Sequence, residues 1–483
     1  MLLFILIVML VVVYMTKTVI KPKNYPPGPQ WYPFFGCNNI IHAKAIKFGS
    51  QYKALQEMAK EYRTQVLGLK MGSDMVVAVF GEKNIRFVCN DLNFDARPES
   101  FFIKLRTFGK KCGITFVDGP LWREHRQFVM KCLRKEGFAK EVMESDIQAK
   151  TEKILEILKN SNGTPVNIRF LVAMAVTNIL WKYVAGEHLR ETQLHKFILL
   201  MSKRSEVFTM AGGWLNQWPW LRFIAPNWSG FSIIQKMNSE MFEIIQESIR
   251  KHREGKVKGS DYIYKFMNEM YRESFTEDQL RGVLVDFLIA STQTTGSIIG
   301  FAIISLIRNK DIYDKIYNEI NMILGKNPPN SKDCTRLVYT SAFLYEILRK
   351  FTIAPFSGPR RTLKDTIIDG YNIPKGTTIL ISLDDLHSSS EIWNDPEQLI
   401  PERFIDENGA LKNTNKVYPF GLGRRACPGE PLSKSFIFIF IVSIIQKYKI
   451  ECSDGEMPSD EPIIGILTEP KPFTARFIER PDA

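Results

Sequence analysis

Near the C-terminus a single cysteine sits in the run Pro419-Phe420-Gly421-Leu422-Gly423-Arg424-Arg425-Ala426-Cys427-Pro428-Gly429. A phenylalanine precedes it by seven residues and an arginine by two, and a glycine follows by two. A thiolate is a soft, electron-donating ligand for iron, and as the axial ligand of a haem it favours cleavage of an O–O bond. Gly423 and Gly429 allow sharp turns and close approach to a flat macrocycle, because glycine tolerates positive φ and has no side chain to clash. Arg425 is a fixed cation that could pair with a haem propionate. Phe420 could shield the sulfur from water, and such burial tunes the redox potential. A lone cysteine is ordinarily just a small buried residue. Here five residues fall at fixed offsets, in the pattern Phe-x-x-Gly-x-Arg-x-Cys-x-Gly.

A second unusual group is Ala290-Ser291-Thr292-Gln293-Thr294-Thr295, in the middle of a long apolar stretch. Thr276-Glu277-Asp278-Gln279 reads as the start of a helix, with an N-cap threonine and acids in the first turn. The helix is expected to run over about residues 277–309. Hydroxyl side chains compete for backbone hydrogen bonds, so a cluster of them inside an apolar helix needs a reason. Trp122 and Arg126 lie four apart, and Glu346 and Arg349 three apart, so each pair shares a helix face.

The elements that must position these groups can be read more coarsely. Short strands are expected around residues 75–80, followed by a helix. Residues 101–106 open an irregular segment that runs to Gly119-Pro120, where a helix begins beside the proline. A helix over about 431–446 follows the cysteine, and a strand over 463–467 returns near the C-terminus. Trp214, Trp218, Trp220 and Trp228 cluster with Pro219 and Pro226, which suits an interfacial lid because indole sits well at headgroup level.

Residues 1–16 carry no charge, and as a helix extended through Ile20 they span about 30 Å, the thickness of a hydrocarbon core. Lys17, Lys21 and Lys23 lie on the C-terminal side and keep the bulk of the chain cytosolic by the positive-inside rule. Pro26-Pro27-Gly28-Pro29 then makes a stiff hinge. The length of 483 residues would allow about three domains, yet no linker or repeat divides the chain. The seven cysteines are odd in number and scattered, which argues against a disulfide framework or structural zinc and for a reducing compartment. A net charge of +12 admits nucleic acid, an anionic membrane or an acidic protein. No nucleic-acid motif appears. A basic set on the helix after Pro120 and just beyond it (Arg123, Lys131, Arg134, Lys135, Lys140) suits docking of an acidic protein partner.

The pattern around Cys427 is the haem-loop signature of the cytochromes P450 and matches without departure. With its anchor and Pro-Pro-Gly-Pro hinge, the chain resembles the microsomal, animal and insect-like branch of that family. The resemblance implies a mainly α fold with small β-sheets, preceded by a single N-terminal transmembrane helix. It divides the chain into an anchor over 1–20, a basic and proline-rich hinge over 21–45, and one haem-thiolate catalytic domain over 46–483. It implies haem b (iron protoporphyrin IX) with Cys427 as axial ligand, and Trp122, Arg126 and Arg360 joining Arg425 at the propionates. Arg361 is the less favoured neighbour. Glu346, Arg349 and Arg403, the last from Pro401-Glu402-Arg403-Phe404, become a structural charge triad. Thr294, helped by Gln293, handles dioxygen and protons. Two departures stand here: Ser291 replaces the usual glycine and Gln293 the usual acid, and glutamine cannot itself deliver a proton near neutral pH.

Phe101, Phe102, Phe287, Ala290, Ile353, Phe356, Ile466 and Leu467 fall where the family lines its substrate pocket. The implied reaction inserts one oxygen atom from O2 into a lipophilic terpenoid, steroid, fatty acid or xenobiotic. Electrons come from NADPH through NADPH–cytochrome P450 reductase, with cytochrome b5 as an optional partner. The implied location is the endoplasmic reticulum membrane, with a single-pass anchor and a cytosolic catalytic domain. The alternatives are N-hydroxylation of a small aromatic amino acid whose carboxylate meets Arg106 or Lys104, a P450-fold isomerase or dehydratase, and a non-enzymatic haem sensor.

Overall fold

The computed structural model describes residues 9, 13, 15–16, 18–207, 215–216, 218–257, 259–453 and 455–481. The anchor expected over 1–20 lies largely outside these residues, as does Trp214.

Hydropathy decides which helices sit at the centre. Helix Glu277–Arg308 (the central helix) and helix Ile168–Ala185 are apolar on nearly all faces, which suits helices surrounded by protein. Both are long and apolar enough to cross a membrane, but most of each is buried inside the protein. They pack closely against each other because Gly296 has no side chain: a Cβ there would stand 3.1 Å from the Arg169 carbonyl oxygen. The expected N-cap forms, with Thr276 Oγ1 accepting from the Gln279 N–H at 3.2 Å. Around this pair pack Gly119–Lys135, Glu141–Asn160, Glu191–Val207, Phe231–Arg253, Val338–Lys350 and Glu430–Lys447.

Strands β1 (Val66–Met71) and β2 (Asp74–Val79) form the expected hairpin, and helix Glu82–Asn90 follows. Strand β3 is Arg360–Arg361, and β4 (Thr366–Ile368) pairs with β5 (Tyr371–Ile373). Strand β6 (Thr378–Ile381) returns some 300 residues after the hairpin to lie parallel to β2, giving the order β1-β2-β6-β3. Both faces of this sheet are covered: Val77, Val79, Ile379 and Ile381 enter one apolar cluster, and Val76, Ala78 and Leu380 enter another. A strand buried on both sides reads as a continuous apolar run. Near the C-terminus β7 (Tyr448–Cys452) pairs with β10 (Ala475–Glu479), and β8 (Pro462–Ile464) with β9 (Thr468–Pro470).

Two local expectations need correction. Residues 463–467 are not one strand. They turn the β8–β9 hairpin, where Ile464 faces Thr468 and the Gly465 N–H donates to the Leu467 carbonyl at 3.0 Å. This puts Ile466 and Leu467 at the turn. Residues 101–106 are not irregular but a short helix, Phe101–Arg106, capped by Ser100 Oγ accepting from the Ile103 N–H at 3.3 Å. The helix after the cysteine runs Glu430–Lys447, within a residue of expectation.

Candidate active site

The Cys427 loop is shaped by its glycines unequally. Gly421 and Gly423 have φ of 79° and 69°, where L side chains are strained. At Gly423 a Cβ would also come within 2.4 Å of the Cys89 carbonyl oxygen. Gly429, by contrast, has φ of −85°, which any residue adopts, and serves as N-cap of Glu430–Lys447. Its contribution is its N–H, which donates to Cys427 Sγ at 3.3 Å. The Cys427 N–H closes the loop on the Phe420 carbonyl at 2.8 Å. Cys427 is exposed on one side, while the protein packed around the rest of it pushes the thiol upward. The Gly429 N–H and then Arg126 oppose that rise. Phe420 is half-buried beneath the Lys434 ammonium, 5.7 Å from its ring centre.

Beside the loop four arginines converge. Arg425 lies over Trp122, 3.8 Å from the ring centre, and donates through Nη2 to the Asp95 carbonyl at 2.7 Å. Arg126, one turn after Trp122, donates to the Ala426 carbonyl at 2.7 Å. Arg360 pairs with Asp95 at 3.3 Å, whereas Arg361 turns away to Asp118 and Glu99. The fourth is Arg97, which the sequence reading missed. It donates to the Pro359 carbonyl at 2.8 Å and is almost wholly buried. No periodic pattern flags it, because it reaches the cluster from a loop pinned by a single bridge, Ala96 to Arg361.

Burial, and then the charges of Arg425 and Arg360, hold Arg97 well below the usual arginine range. Burial likewise pushes Arg425 down to about 10. Arg425 Nε and Nη1 and Arg97 Nε are buried donors without a hydrogen-bond partner. Buried donors of this kind call for an acceptor, and clustered cations call for an anion. Haem, with two propionates and an iron for the thiolate, fits this donor set. Among the described residues, no group of three or more His, Cys, Asp or Glu could hold a bare metal ion.

On the central helix, Ala290 is exposed and Thr294 partly so, although Ser291, Thr292, Gln293 and Thr295 around them are buried. The two lie one turn apart and open on one face. Thr294 Oγ1 donates to the Ala290 carbonyl at 3.2 Å, and Ser291 and Thr292 likewise donate back along the helix. Gln293 points elsewhere: its amide donates to Glu469 Oε1 at 2.9 Å and to the Met201 carbonyl at 3.2 Å. Glu469 also holds Arg169 at 2.8 Å. This link across β9 could not be foreseen from spacing.

Glu346, Arg349 and Arg403 meet. Arg349 binds Glu346 through two hydrogen bonds of 2.6 and 2.9 Å, and Arg403 Nε reaches Glu346 Oε1 at 3.1 Å. The remaining donors of Arg349 and Arg403 go to carbonyls of residues 387 and 394–398. His387, buried behind Arg349, accepts from the Tyr418 N–H at 2.8 Å. Burial and then Arg349 push it down to about 3.

Of the expected pocket residues, Phe102 and Ile466 line one cavity together with Phe116, Arg106 and Arg204. Phe101 packs in the same small cluster, under Arg222. Phe287 and Ile353 lie in the main core, with Leu467 packed against it. Phe356 sits edge-on to Tyr52, 5.1 Å between ring centres, behind the sheet. Arg106 is already paired with Asp286 at 2.5 Å, and Lys104 is exposed.

Outside, Lys131, Arg134, Lys135 and Lys140 line a surface groove together with Arg126, and Arg123 is exposed. Trp220, Phe223, Ile224 and Trp228 form an apolar exposed face, 53–72% accessible. Trp218 ties that region to Phe35 edge-on at 5.2 Å.

Comparison with known proteins accords with this geometry. The family model for cytochrome P450 matches residues 26–477. The chain is 36% identical over 479 residues to probable cytochrome P450 305a1 of Drosophila melanogaster, covering 95% of each chain. It is 35% identical over 465 residues to farnesoate epoxidase of Bombyx mori, covering 94% of each. To cytochrome P450 2J2 of Homo sapiens it is 31% identical over 467 residues, 93% of this chain and 90% of that one. With a thiolate loop, an anion-seeking arginine cluster and a match along nearly its whole length, the chain belongs to the cytochrome P450 family of haem-dependent monooxygenases.

Proposed function

We propose that this protein is a microsomal haem-thiolate monooxygenase that oxidises a lipophilic small molecule of the terpenoid, steroid, fatty-acid or xenobiotic class. Electrons come from NADPH through a flavoprotein reductase. The observation that carries the reading is the set of unsatisfied buried donors on Arg425 and Arg97 beside the Cys427 loop. Haem, when bound, supplies the activation of dioxygen. Cys427 holds its iron, and the Gly429 N–H moderates the electron donation of the sulfur. Arg425, stacked on Trp122, with Arg126, Arg360 and Arg97, anchors the propionates.

On the substrate side Thr294 holds and moves a proton at its Oγ1. Its present hydrogen bond to the Ala290 carbonyl is local and can be exchanged by one χ1 rotation. Gln293 acts as a positioning residue, because its amide is tied to Glu469 and Met201. The Glu346–Arg349–Arg403 triad keeps the segment before the cysteine in place.

The basic groove over Lys131, Arg134, Lys135 and Lys140 receives the acidic reductase, with cytochrome b5 as an optional donor. Residues 1–20 anchor the protein in the endoplasmic reticulum membrane, with residues 46–483 as the cytosolic catalytic domain. The exposed face of Trp220, Phe223, Ile224 and Trp228 rests on the same membrane. The name of the Bombyx relative, farnesoate epoxidase, speaks for a terpenoid within the substrate range.

The test is turnover in a reconstituted system of holoprotein, reductase and NADPH with a farnesoid, a steroid and a fatty acid. We expect NADPH- and O2-dependent formation of a product one oxygen heavier. Conversion of a peroxide without NADPH or reductase, and no oxygenation with them, would contradict the reading.

A further inference from the structure

One buried charge is left without a role by everything above. Arg204, near the end of helix Glu191–Val207, is 9% exposed and lines the same cavity as Phe102, Phe116 and Ile466. Among the described residues it has neither a hydrogen-bond nor an ion-pair partner. The charge that acts on it is another cation, Arg106, which adds to the effect of burial. The acid that could have served it is saturated. Asp286 accepts from Arg106 at 2.5 Å on Oδ1, and from the N–H groups of Ile114 and Thr115 at 2.6 and 2.9 Å on Oδ2. Asp74, the single acid among the cavity residues, is exposed and accepts from Ser73.

A buried guanidinium without a counter-ion is costly to fold, so its retention needs a compensating interaction. Burial pushes it down to about 10, with Arg106 adding to the shift, and it still carries its charge near neutral pH. The walls around it are mostly apolar, with Val76, Ile103, Phe116, Leu380 and Ile466 among them. An arginine facing an apolar cavity suits a planar anion attached to a hydrocarbon body.

We propose that Arg204 is a carboxylate anchor, so that the enzyme takes a lipophilic long-chain acid as its free anion rather than as an ester. This rests on the monooxygenase reading above. The Arg106–Asp286 pair marks the level of the anchor on the central helix. Thr294 lies eight residues further along that helix, about 12 Å at 1.5 Å per residue and roughly 80° around its axis. The acid therefore lies extended and is oxidised far from its carboxylate. A short amino acid oxidised at its own nitrogen does not span that distance, and Arg106 and Lys104 are not placed to hold it: one is paired and the other exposed.

The experiment is optical titration of the purified ferric full-length holoprotein with matched pairs: farnesoic acid and its methyl ester, and a long-chain fatty acid and its methyl ester. Phenylalanine is the short control. The acids are expected to bind about 10- to 100-fold more tightly than their esters, the range of a charge-assisted buried hydrogen bond. The better of the two acids identifies the hydrocarbon class, and phenylalanine gives no saturable shift. In Arg204→Met the acid-to-ester ratio falls to within about threefold, while the thermal midpoint of the unliganded protein rises because an uncompensated charge is gone. Should that variant fail to retain haem, Arg204→Lys keeps the charge but not the fork and should weaken the preference without abolishing it.

Equal binding of acid and ester, a preference that survives Arg204→Met, a lowered midpoint in that variant, or saturable binding of phenylalanine overturns the proposal. So does a protein with a thiolate-type ferrous–carbonyl band that binds neither member of either pair. Absence of the band itself would sink the monooxygenase reading instead.

Discussion

Two groups of buried and half-buried arginines in this protein differ in how completely they are paired. Around Glu346, the carboxylate and both guanidiniums are matched to one another and to a ring of backbone carbonyls. Around Trp122, Arg425 and Arg97 keep buried donors with no acceptor, and among the described residues only Arg360 of the four cations has an ion pair, to Asp95. A saturated cluster holds the chain together and has no capacity for a ligand. An unsaturated one destabilises the chain until a ligand arrives. The same residue type thus serves as scaffold in one place and as binding site in the other, and Arg204 extends the second case to the substrate side.

The comparison breaks most visibly at Glu346. In Glu346→Ala the Arg349 charge is left buried and unpaired, with a cost of about 3–5 kcal/mol. Chemical denaturation should show a loss of that size, or no folded protein at all; a loss below about 1 kcal/mol would remove the triad from the scaffold. At Arg425 the expected sign is reversed. Arg425→Met should leave the haem-free protein as stable as before or more so, while haem affinity falls by about 10- to 100-fold. Haem titration followed by thermal melting separates the two effects, and an apoprotein destabilised to the same degree as the holoprotein would make Arg425 a scaffold residue like Arg349.

His387 sharpens the scaffold side through pH. Its folded value, about 3, lies below its ordinary 6.5, so the unfolded chain binds the proton more readily. The stability it contributes is complete above pH 6.5 and is lost as pH falls toward 3, at roughly 1.4 kcal/mol per pH unit. Urea midpoints of His387→Gln should show a shallower acid limb in that window. The smallest effect is expected at the exposed pair Lys315–Glu402, next to the triad in sequence but not in burial. Lys315→Ala should change stability by less than about 0.5 kcal/mol.

What could be read in the sequence follows how local each feature is. The Cys427 loop was legible because its parts lie within ten residues and each spacing has a physical use. The central helix was legible from its cap and its apolar run, and the meeting of Glu346 and Arg349 from helical spacing. Arg403 was placed only through family resemblance, since nothing local ties it to them. Glycine roles were only half legible: Gly423 needs its left-handed φ, while Gly429 turned out to matter for its N–H. The β8–β9 hairpin was missed although Gly465 stood in its turn, because a run of isoleucines looks the same in one strand as in two strands folded back. Arg97, Arg204 and the Glu469–Gln293 link were illegible for a deeper reason. Whether a buried polar group has a partner is a property of the packed fold and leaves no mark on the local sequence.

The central claim is that Cys427 is the ligand of a haem held by the arginine cluster. The most direct measurement is the carbonyl spectrum of the reduced, purified protein beside that of Cys427→Ala. The account predicts a thiolate-type band in the native protein and its disappearance in the variant. A native protein without the band, or a variant that keeps it, would contradict the assignment.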